Sequence, residues 1–261
     1  MPASIAVDES HLESRPFRPC VLIPVYNHAG TLVLLLDRLK SNGLPCILVD
    51  DGSDATCRDA LVSVQQREAA WVRLVRHGMN LGKGAAVMTG LRAAAADGFT
   101  HAVQIDADAQ HSPEDIPKFL EVARRTPCGV IVGCPVYDAS VPKARLYGRY
   151  ATRIWVWINT LSLEIRDAMC GFRVYPIAPT LALADKVRLG RRMEFDAEVI
   201  VRLFWEGMPV VNLLTPVTYQ TDNVSHFRLW HDNLRISGMH ARLFFGMLLR
   251  LPRLIRRRRA A

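Results

Sequence analysis

Apolar runs of strand length recur through the first half of the chain and alternate with segments of helical periodicity. The runs are Cys20 to Val25, Pro45 to Val49, Val72 to Arg76, Ala102 to Ile105 and Gly129 to Gly133. Helical patterns occupy residues 31–40, 55–70 and 84–96. This alternation predicts an α/β fold with a Rossmann-like, mostly parallel sheet and helices on both faces. Ligands of such sheets bind beyond the carboxyl ends of the strands.

Beyond about residue 136 the pattern changes to long amphipathic, aromatic-rich stretches at 145–163, 194–205 and 231–255. The last stretch mixes large apolar residues with many arginines, which is typical of a helix lying in a membrane interface. A helix packed on the domain, followed by a basic tail, is the alternative. We predict a flexible N-terminal tail at 1–18, one globular domain at 19–222, and an amphipathic, basic, membrane-associating segment at 223–261.

The charge balance narrows the choice of partners. The 261 residues include 33 Lys and Arg against 25 Asp and Glu, and six arginines lie within the last twelve residues. Such a terminus can contact anionic lipid or nucleic acid. Its basic residues are mixed with large aliphatic ones, and the sequence has no recognised nucleic-acid-binding module. We therefore expect peripheral contact with a membrane and no nucleic acid.

Several features of the sequence predict a cytoplasmic protein at the inner face of the cell membrane. The six cysteines include no Cys-x-x-Cys pair, and several of them interrupt apolar runs, as buried free thiols do. The first eighteen residues lack the pattern of a signal peptide. The longest apolar runs fall short of the roughly 18 residues that a membrane span needs.

A pair of aspartates follows the fourth apolar run. Asp106 and Asp108 stand two residues apart where the run breaks into a polar stretch. In an extended backbone alternate side chains point the same way, so both carboxylates can face one hard cation, with Gln110 next on that face if the extension persists. This predicts a divalent metal site that leaves positions free for a nucleotide diphosphate. A solvated acidic turn is the alternative.

Two further polar segments are candidates for nucleotide binding. Asp50-Asp51-Gly52-Ser53 directly follows the second apolar run, where a carboxylate can accept hydrogen bonds from a base or a ribose. Lys83 stands between two glycines at the start of an alanine-rich helix, where it could approach phosphates. The spacing around Lys83 excludes a P-loop and a dinucleotide fingerprint. An ordinary turn and a flexible loop are the respective alternatives.

Five segments, taken together, resemble family 2 glycosyltransferases of GT-A fold. They are Pro24-Val-Tyr-Asn27, Val49-Asp-Asp-Gly-Ser53, Asn80-x-Gly-Lys-Gly84, Gln104-x-Asp-Ala-Asp-Ala-Gln-His-x-Pro-Glu114 and Asp167-Ala-Met-Cys-Gly-Phe-Arg173. Within that family they are most similar to the dolichyl- or polyprenyl-phosphate mannosyltransferase-like branch. The resemblance implies that a GT-A domain at 19–222 transfers a hexose from a UDP- or GDP-sugar, with inversion, to polyprenyl phosphate or another lipidic acceptor.

The resemblance also implies roles for single residues on the donor side. The donor would be bound by Pro24, Tyr26, Asp51, Lys83, Asp106 and Ala107. Mg²⁺ or Mn²⁺ would be held by Asp106, Asp108 and Gln110, and would neutralise charge that builds on the leaving nucleoside diphosphate.

On the acceptor side, the branch uses basic residues to hold the acceptor phosphate where this chain has Arg145 and Arg149. Two arginines on a helix surface can also be merely solvated. A phosphate acceptor needs no base, whereas a hydroxyl acceptor does, and Asp167 is the first candidate for that base. Asp167 could instead brace its loop. The predicted catalytic residues are Asp108, Asp167 and Arg145.

The chain departs from the branch at several positions. Cys170 stands where Ser or Thr is common, and a buried structural role is expected for this small thiol. The segment 225–233 resembles a subset of bacterial family 2 enzymes associated with aryl polyene pigment clusters, so His226 or Arg228 could close over the diphosphate. The alternative function is therefore transfer to a hydroxyl of a pigment or a glycan.

Two further segments bear on the function. Glu194-Phe-Asp196-Ala-Glu198 looks like the family's Phe-Asp-x-Glu segment, but acids at a helix start are favoured by the helix dipole alone, which predicts a structural role. A nucleotidylyltransferase would need a glycine-rich loop after the first strand, where this chain has Pro24 to His28.

Overall fold

A seven-stranded sheet forms the centre of the molecule. The computed structural model describes residues 16–137, 143–218 and 229–260. The strands are β1 (Pro19–Val25), β2 (Cys46–Asp50), β3 (Val72–Arg76), β4 (His101–Gln104), β5 (Val130–Tyr137), β6 (Arg173–Pro176) and β7 (Val210–Val217). Their order is β3-β2-β1-β4-β6-β5-β7, and β6 is antiparallel to both of its neighbours. The other pairings are parallel, as predicted.

Helices cover both faces of this sheet. They are α1 (Ala29–Leu39), α2 (Ala55–Arg67), α3 (Lys83–Ala96), α4 (Ile116–Arg125), α5 (Lys143–Thr160), α6 (Ile177–Lys186), α7 (Phe195–Trp205) and α8 (Leu229–Ala260). The alternation along β1 shows how the two layers are specified. Leu22 belongs to the core shared with α3, whereas Val21 and Ile23 belong to the core shared with α1. The predicted α/β architecture is confirmed.

Small residues let α3 approach the sheet closely. A Cβ atom added at Gly90 would lie 2.0 Å from Leu22 Cδ1, and one added at Gly84 would lie 2.5 Å from Phe195 Cβ. The close packing of this helix therefore requires glycine at both positions. It fixes the position of Lys83, the first residue of α3.

The last described helix, α8, packs against α5 and α7. Met239, Leu243, Met247 and Leu254 form its buried stripe and join the core on that face. The predicted boundary between residues 222 and 223 lies outside the described residues and stays a prediction. No helix in the described ranges combines the length and the apolarity that crossing a membrane requires.

Two residues on the N-terminal side of the predicted boundary at residue 19 contact the domain. The Phe17 ring packs on His101 with centroids 4.7 Å apart, and the Arg18 amide donates to Thr100 Oγ1 at 2.9 Å. All six cysteines are free thiols, as expected.

Candidate functional site

The carboxyl ends of three neighbouring parallel strands bring the sequence motifs together. β1 lies between β2 and β4, so residues that follow Val25, Asp50 and Gln104 meet at one edge of the sheet. Asn27 joins two of these ends: its amide donates to Ser53 Oγ at 3.1 Å, and its Oδ1 accepts from the Asp54 amide at 2.8 Å. This edge is where ligands of doubly wound sheets bind.

Asp51 holds the loop that precedes α3. Its carboxylate accepts hydrogen bonds from the Leu81 amide at 2.9 Å and from the Gly82 amide at 2.8 Å. A carboxylate can only accept, so His77 donates to it through Nδ1, at 2.8 Å. Three donors therefore engage the buried Asp51 side chain, and they tie the end of β2 to the loop that carries Lys83.

Lys83 lies between two carboxylates. Its Nζ is 2.9 Å from Asp106 Oδ2 and 2.9 Å from Asp196 Oδ2. Burial acts to lower the pKa of Lys83, but the two negative charges outweigh it and raise the pKa above its usual value. Burial acts in turn to raise the pKa of Asp106, and the Lys83 ammonium outweighs it, so that this pKa lies below its usual value. Lys83 and Asp106 are therefore both charged at neutral pH.

The backbone around the aspartate pair does not stay extended. β4 ends at Gln104, residues 107 and 108 form a turn, and Ala109 has a φ of +56°. The extension that would place Asp106, Asp108 and Gln110 on one face by alternation therefore does not persist past Gln104, and their joint binding of a metal stays a prediction. In the turn the Gln110 amide donates to Asp108 Oδ1 at 3.1 Å. The small polar loop residues favour this turn over a longer strand.

One carboxylate oxygen at this turn is left for a ligand. Asp106 Oδ1 is buried, and among the described residues no donor reaches it with hydrogen-bond geometry, while the nearby Gln104 side chain adds to the effect of Lys83 in lowering the Asp106 pKa. A buried oxygen without a donor is costly unless something else satisfies it. Two neighbouring carboxylates are hard donors that suit Mg²⁺ or Mn²⁺. Across the described residues no three His, Cys, Asp or Glu side chains are arranged to hold a metal ion. The site therefore fits a metal ion only if a bound small molecule supplies further oxygen atoms to it.

His111 and Cys170 lie under the turn. The His111 side chain is buried beside the Phe172 ring, at 5.6 Å between centroids, and its Nδ1 has no hydrogen-bond partner among the described residues. Burial lowers the pKa of His111 to about 4, although the Asp106 charge opposes this, so the ring is neutral at pH 7. Burial raises the pKa of Cys170 to about 12. This protonated thiol fits the structural role expected for it.

Asp167 and Arg149 form an ion pair. Arg149 Nη1 is 2.7 Å from Asp167 Oδ2, while Asp167 Oδ1 accepts from the amides of Met169 at 2.8 Å and Cys170 at 2.7 Å. Asp167 thus braces its own loop, which was the alternative to a role as base. The helix α5 carries Arg145 one turn before Arg149, but the Arg145 side chain lies outside the described residues.

Arg173 was not singled out from the sequence. Its guanidinium is fully buried and donates to three backbone carbonyl oxygens, those of Ala168 at 2.7 Å, Cys170 at 2.6 Å and Asp196 at 2.6 Å. It therefore joins the Asp167 loop to the start of α7. Asp196, for which a structural role at the start of the helix was expected, forms the second ion-pair partner of Lys83.

Three other residues predicted to bind the donor lie near the ends of β1 and β4. Pro24 and Tyr26 are half-buried at the end of β1. Ala107 is buried, and its carbonyl oxygen accepts from Thr31 Oγ1 at 2.8 Å. His226 and Arg228 lie outside the described residues.

Gly171 is needed for the close approach of Asp106. A Cβ atom added there would lie 2.1 Å from Asp106 Oδ2. We expect Gly171→Ala to displace this carboxylate and to lower catalytic turnover by about 100-fold, since a misplacement of about 1 Å can have that effect. Turnover of the two proteins under identical conditions measures it. Gly148→Ala is the control, because a Cβ there meets no atom within 4 Å. Equal turnover of the Gly171 variant would contradict the placement of Asp106.

The fold and the acidic edge of the sheet define an enzyme class, and comparison with known proteins gives the family. Residues 20–185 match the family model described as Glycosyl transferase family 2. The chain therefore belongs to family 2 of the glycosyltransferases. The undecaprenyl-phosphate mannosyltransferase of Micrococcus luteus is 30% identical over 215 residues, which cover 77% of this chain and 83% of that relative.

Solved structures with similar folds confirm the GT-A architecture. The glucosyl-3-phosphoglycerate synthase of Mycobacterium tuberculosis, in complex with Mn²⁺ and UDP-glucose, superposes with a TM-score of 0.60 at 15% identity, covering 95% of this chain and 83% of that one. A mannosyltransferase of Pyrobaculum calidifontis, in complex with GDP-mannose and Mn²⁺, gives 0.57 at 15% identity, with coverages of 94% and 70%. At these identities the likeness concerns the fold.

Proposed function

We propose that this glycosyltransferase moves a hexose from a UDP- or GDP-sugar to polyprenyl phosphate, in a metal-dependent reaction that inverts the anomeric carbon. The observation that carries the proposal is the Asp106 carboxylate, which Lys83 holds by one oxygen while the other is buried without a donor. The named activity of the Micrococcus luteus relative supports the acceptor class. The nucleotide sugars and Mn²⁺ in the two similar structures support the donor class and the metal.

Asp106 and Asp108 would hold the metal, with the donor diphosphate supplying further oxygens. Bound there, Mg²⁺ or Mn²⁺ would stabilise the charge that develops on the leaving nucleoside diphosphate. Lys83 stays charged beside Asp106 and contributes positive charge at the same place. The side chain of Gln110 remains a proposed additional ligand, although the turn at residues 107 and 108 removes the extended geometry on which that role was based.

The nucleoside would lie over the ends of β1 and β2. Pro24, Tyr26 and Ala107 border this edge of the sheet. The Asp51 carboxylate fixes the loop at residues 80–82 by accepting hydrogen bonds from two backbone amides of that loop. Because Asp51 accepts hydrogen bonds from His77, Leu81 and Gly82, we assign it the positioning of this loop in addition to contact with the base or ribose. Arg228 would close over the diphosphate.

The acceptor phosphate would meet Arg149, with Arg145 one turn away on α5. Arginine forks bind phosphate oxygens in pairs. A phosphate monoester attacks as an anion and needs no base, so Asp167 would position Arg149 and would not take a proton. The internal bonds of Asp167 support this view, because taking a proton would break its pair with Arg149.

The variant Asp167→Asn separates a phosphate acceptor from a hydroxyl acceptor. Its amide oxygen can still accept from the backbone of Met169 and Cys170, while it can no longer act as a base. We expect less than about a tenfold loss of transfer to polyprenyl phosphate, because general base catalysis is worth about 10²- to 10⁴-fold where it operates. Product formation with undecaprenyl phosphate measures this. A loss of 100-fold or more would favour the alternative, transfer to a hydroxyl of a pigment or glycan.

Exposed apolar side chains on α5 and α8, two helices that contact each other, support peripheral contact with a membrane. The outer side of α8 exposes Trp230 by 89% and Leu249 by 84%, and the adjacent α5 exposes Ile154 and Trp155. Arginines flank this surface in the last turns of α8. Apolar area beside positive charge suits an anionic bilayer surface, which we propose to be the cytoplasmic face of the cell membrane.

We expect Leu249→Glu to weaken binding to phosphatidylglycerol-containing vesicles by about tenfold, because it removes apolar area and adds like charge to the lipid. Cosedimentation with the vesicles measures the change. Leu34→Glu is the matched control, since Leu34 is 60% exposed on α1, on the other face of the sheet. Equal losses in both variants would argue against this surface.

A further inference from the structure

A basic cavity lies outside the residues assigned to the donor and the acceptor. Its volume is about 600 Å³. Its walls are the loop at residues 80–81, the segment 188–194 between α6 and α7, and side chains from α7 and α8. None of the proposed donor or metal residues lines it. The cavity is therefore a place for a second ligand.

The charge of this cavity is strongly one-sided. Six arginines line it, at positions 188, 191, 192, 202, 235 and 242, against one acid, Glu194. Arg202 is paired with Glu198 at 2.8 Å, and Arg235 lies 3.5 Å from Asp232. Arg188, Arg191 and Arg242 have no ion pair within the described ranges. Clustered guanidinium groups repel one another, so an anion bound among them would relieve this repulsion.

The side chains around the cavity indicate the class of anion. Guanidinium groups match the paired oxygens of phosphate better than they match a spherical anion. Arg235 and Arg242 reach the cavity from α8, whose outer side exposes Trp230 and Leu234. A phosphate site beside exposed apolar side chains is the arrangement that a phospholipid headgroup requires.

We propose that this cavity binds phosphate groups, and that anionic phospholipid headgroups supply them when the protein lies on a membrane. The wall of the cavity also contacts the start of α3, because the Ala85 amide donates to the Arg191 carbonyl oxygen at 3.0 Å and Arg192 Nη1 donates to Asn80 Oδ1 at 2.9 Å. A bound phosphate would thereby steady the loop that precedes Lys83. This binding does not depend on the sugar-transfer reaction.

The first experiment is calorimetric titration of the full chain with inorganic pyrophosphate, without metal and without nucleotide. We expect Arg242→Glu, and separately Arg188→Glu, to weaken binding by about tenfold or more, since each removes a charge-assisted contact. Two variants from different elements guard against loss of folding in one of them. Arg92→Glu on α3 is the control, with the same change of charge at an exposed site that does not line the cavity, and it should bind within about twofold of wild type.

Unchanged affinity in both cavity variants would overturn the proposal. Displacement of pyrophosphate by UDP or GDP would also overturn it, because the cavity would then belong to the donor site. The Asp108→Ala variant should bind pyrophosphate as wild type does, whether or not sugar transfer is the reaction. The proposed phosphate site and the proposed sugar transfer can therefore fail independently.

Vesicles distinguish the sources of phosphate. Cosedimentation with phosphatidylcholine alone and with added phosphatidylglycerol should show that Arg242→Glu loses most of the dependence on phosphatidylglycerol, while Arg92→Glu retains it. The cavity variants could lose affinity for pyrophosphate while their binding to vesicles keeps its full dependence on phosphatidylglycerol. That result would overturn phospholipid as the source of the phosphate and would support a soluble phosphate compound.

Discussion

Asp108→Ala is expected to lower the release of nucleoside diphosphate from the sugar donor by about 10³-fold or more, with the fold intact. Several kcal/mol of charge stabilisation depend on the proposed metal, and each 1.4 kcal/mol is worth about tenfold in rate. Asp108 lies in the turn after β4, accepts a hydrogen bond from the Gln110 amide, and belongs to neither apolar core of the sheet. The replacement should therefore remove a ligand and leave the core unchanged.

Two measurements separate this effect from general damage. Mn²⁺ binding, followed by electron paramagnetic resonance in the presence of UDP or GDP, should weaken in parallel with the rate. Asp185→Ala is the control, because Asp185 is exposed on α6 and away from the ends of β1, β2 and β4. Retained turnover in the Asp108 variant would refute the metal assignment.

Lys83→Met is expected to lower the free energy of unfolding by about 3–5 kcal/mol at pH 7, because it leaves two carboxylates without their shared cation. The Asp196 side chain is almost fully buried and that of Asp106 is about one quarter exposed, so solvent screens this repulsion only weakly. Urea denaturation of both proteins measures the difference. Lys186→Met is the control at an exposed position, where a change within about 0.5 kcal/mol is expected.

The ion pair between Lys83 and Asp106 also predicts how the free energy of unfolding depends on pH. Lys83 holds the pKa of Asp106 in the folded protein below the usual aspartate value of about 3.9. Asp106 therefore contributes its full share to the free energy of unfolding above the usual aspartate pKa. This share is lost as the pH falls through the lower pKa of the folded protein. The difference in stability between wild type and Lys83→Met should accordingly shrink below about pH 4. A difference that stays constant down to pH 2 would show that the loss comes from packing and not from charge.

The sequence was sufficient for much of the fold and for the location of the site. Strands β1, β2 and β3 are uninterrupted apolar or alternating runs, and the structure begins and ends them within one residue of the prediction. The motifs around Asp51 and Asp106 directly follow such strands, so the rule for parallel sheets was enough to bring them to one edge. Asp51 and Asp106 are linked through Gly82 and Lys83, which confirms that these acids face a common region.

Other parts of the structure could not be predicted because long-range contacts decide them. β6 is four residues long, begins with an arginine and ends with a proline. Its sequence therefore lacks the apolar pattern of a buried strand. Arg173 can be buried there only because it donates hydrogen bonds to carbonyl oxygens of two other segments. The role of Asp196 depends on Lys83, which lies far from it in the sequence. A helix-start signal alone gave no indication of that pair. The turn after β4 was missed because alternation was extended past the end of the strand.

In the proposed reaction the acids at the ends of β2 and β4 hold an activated sugar for transfer to a lipid phosphate. The most direct measurement is release of nucleoside diphosphate from UDP- and GDP-hexoses, with Mg²⁺ or Mn²⁺, in the presence and absence of undecaprenyl phosphate. We predict release that requires the divalent ion, increases with undecaprenyl phosphate and yields a glycosylated lipid. No release from any of these donors, or release that is unchanged when the ion is chelated, would contradict the account.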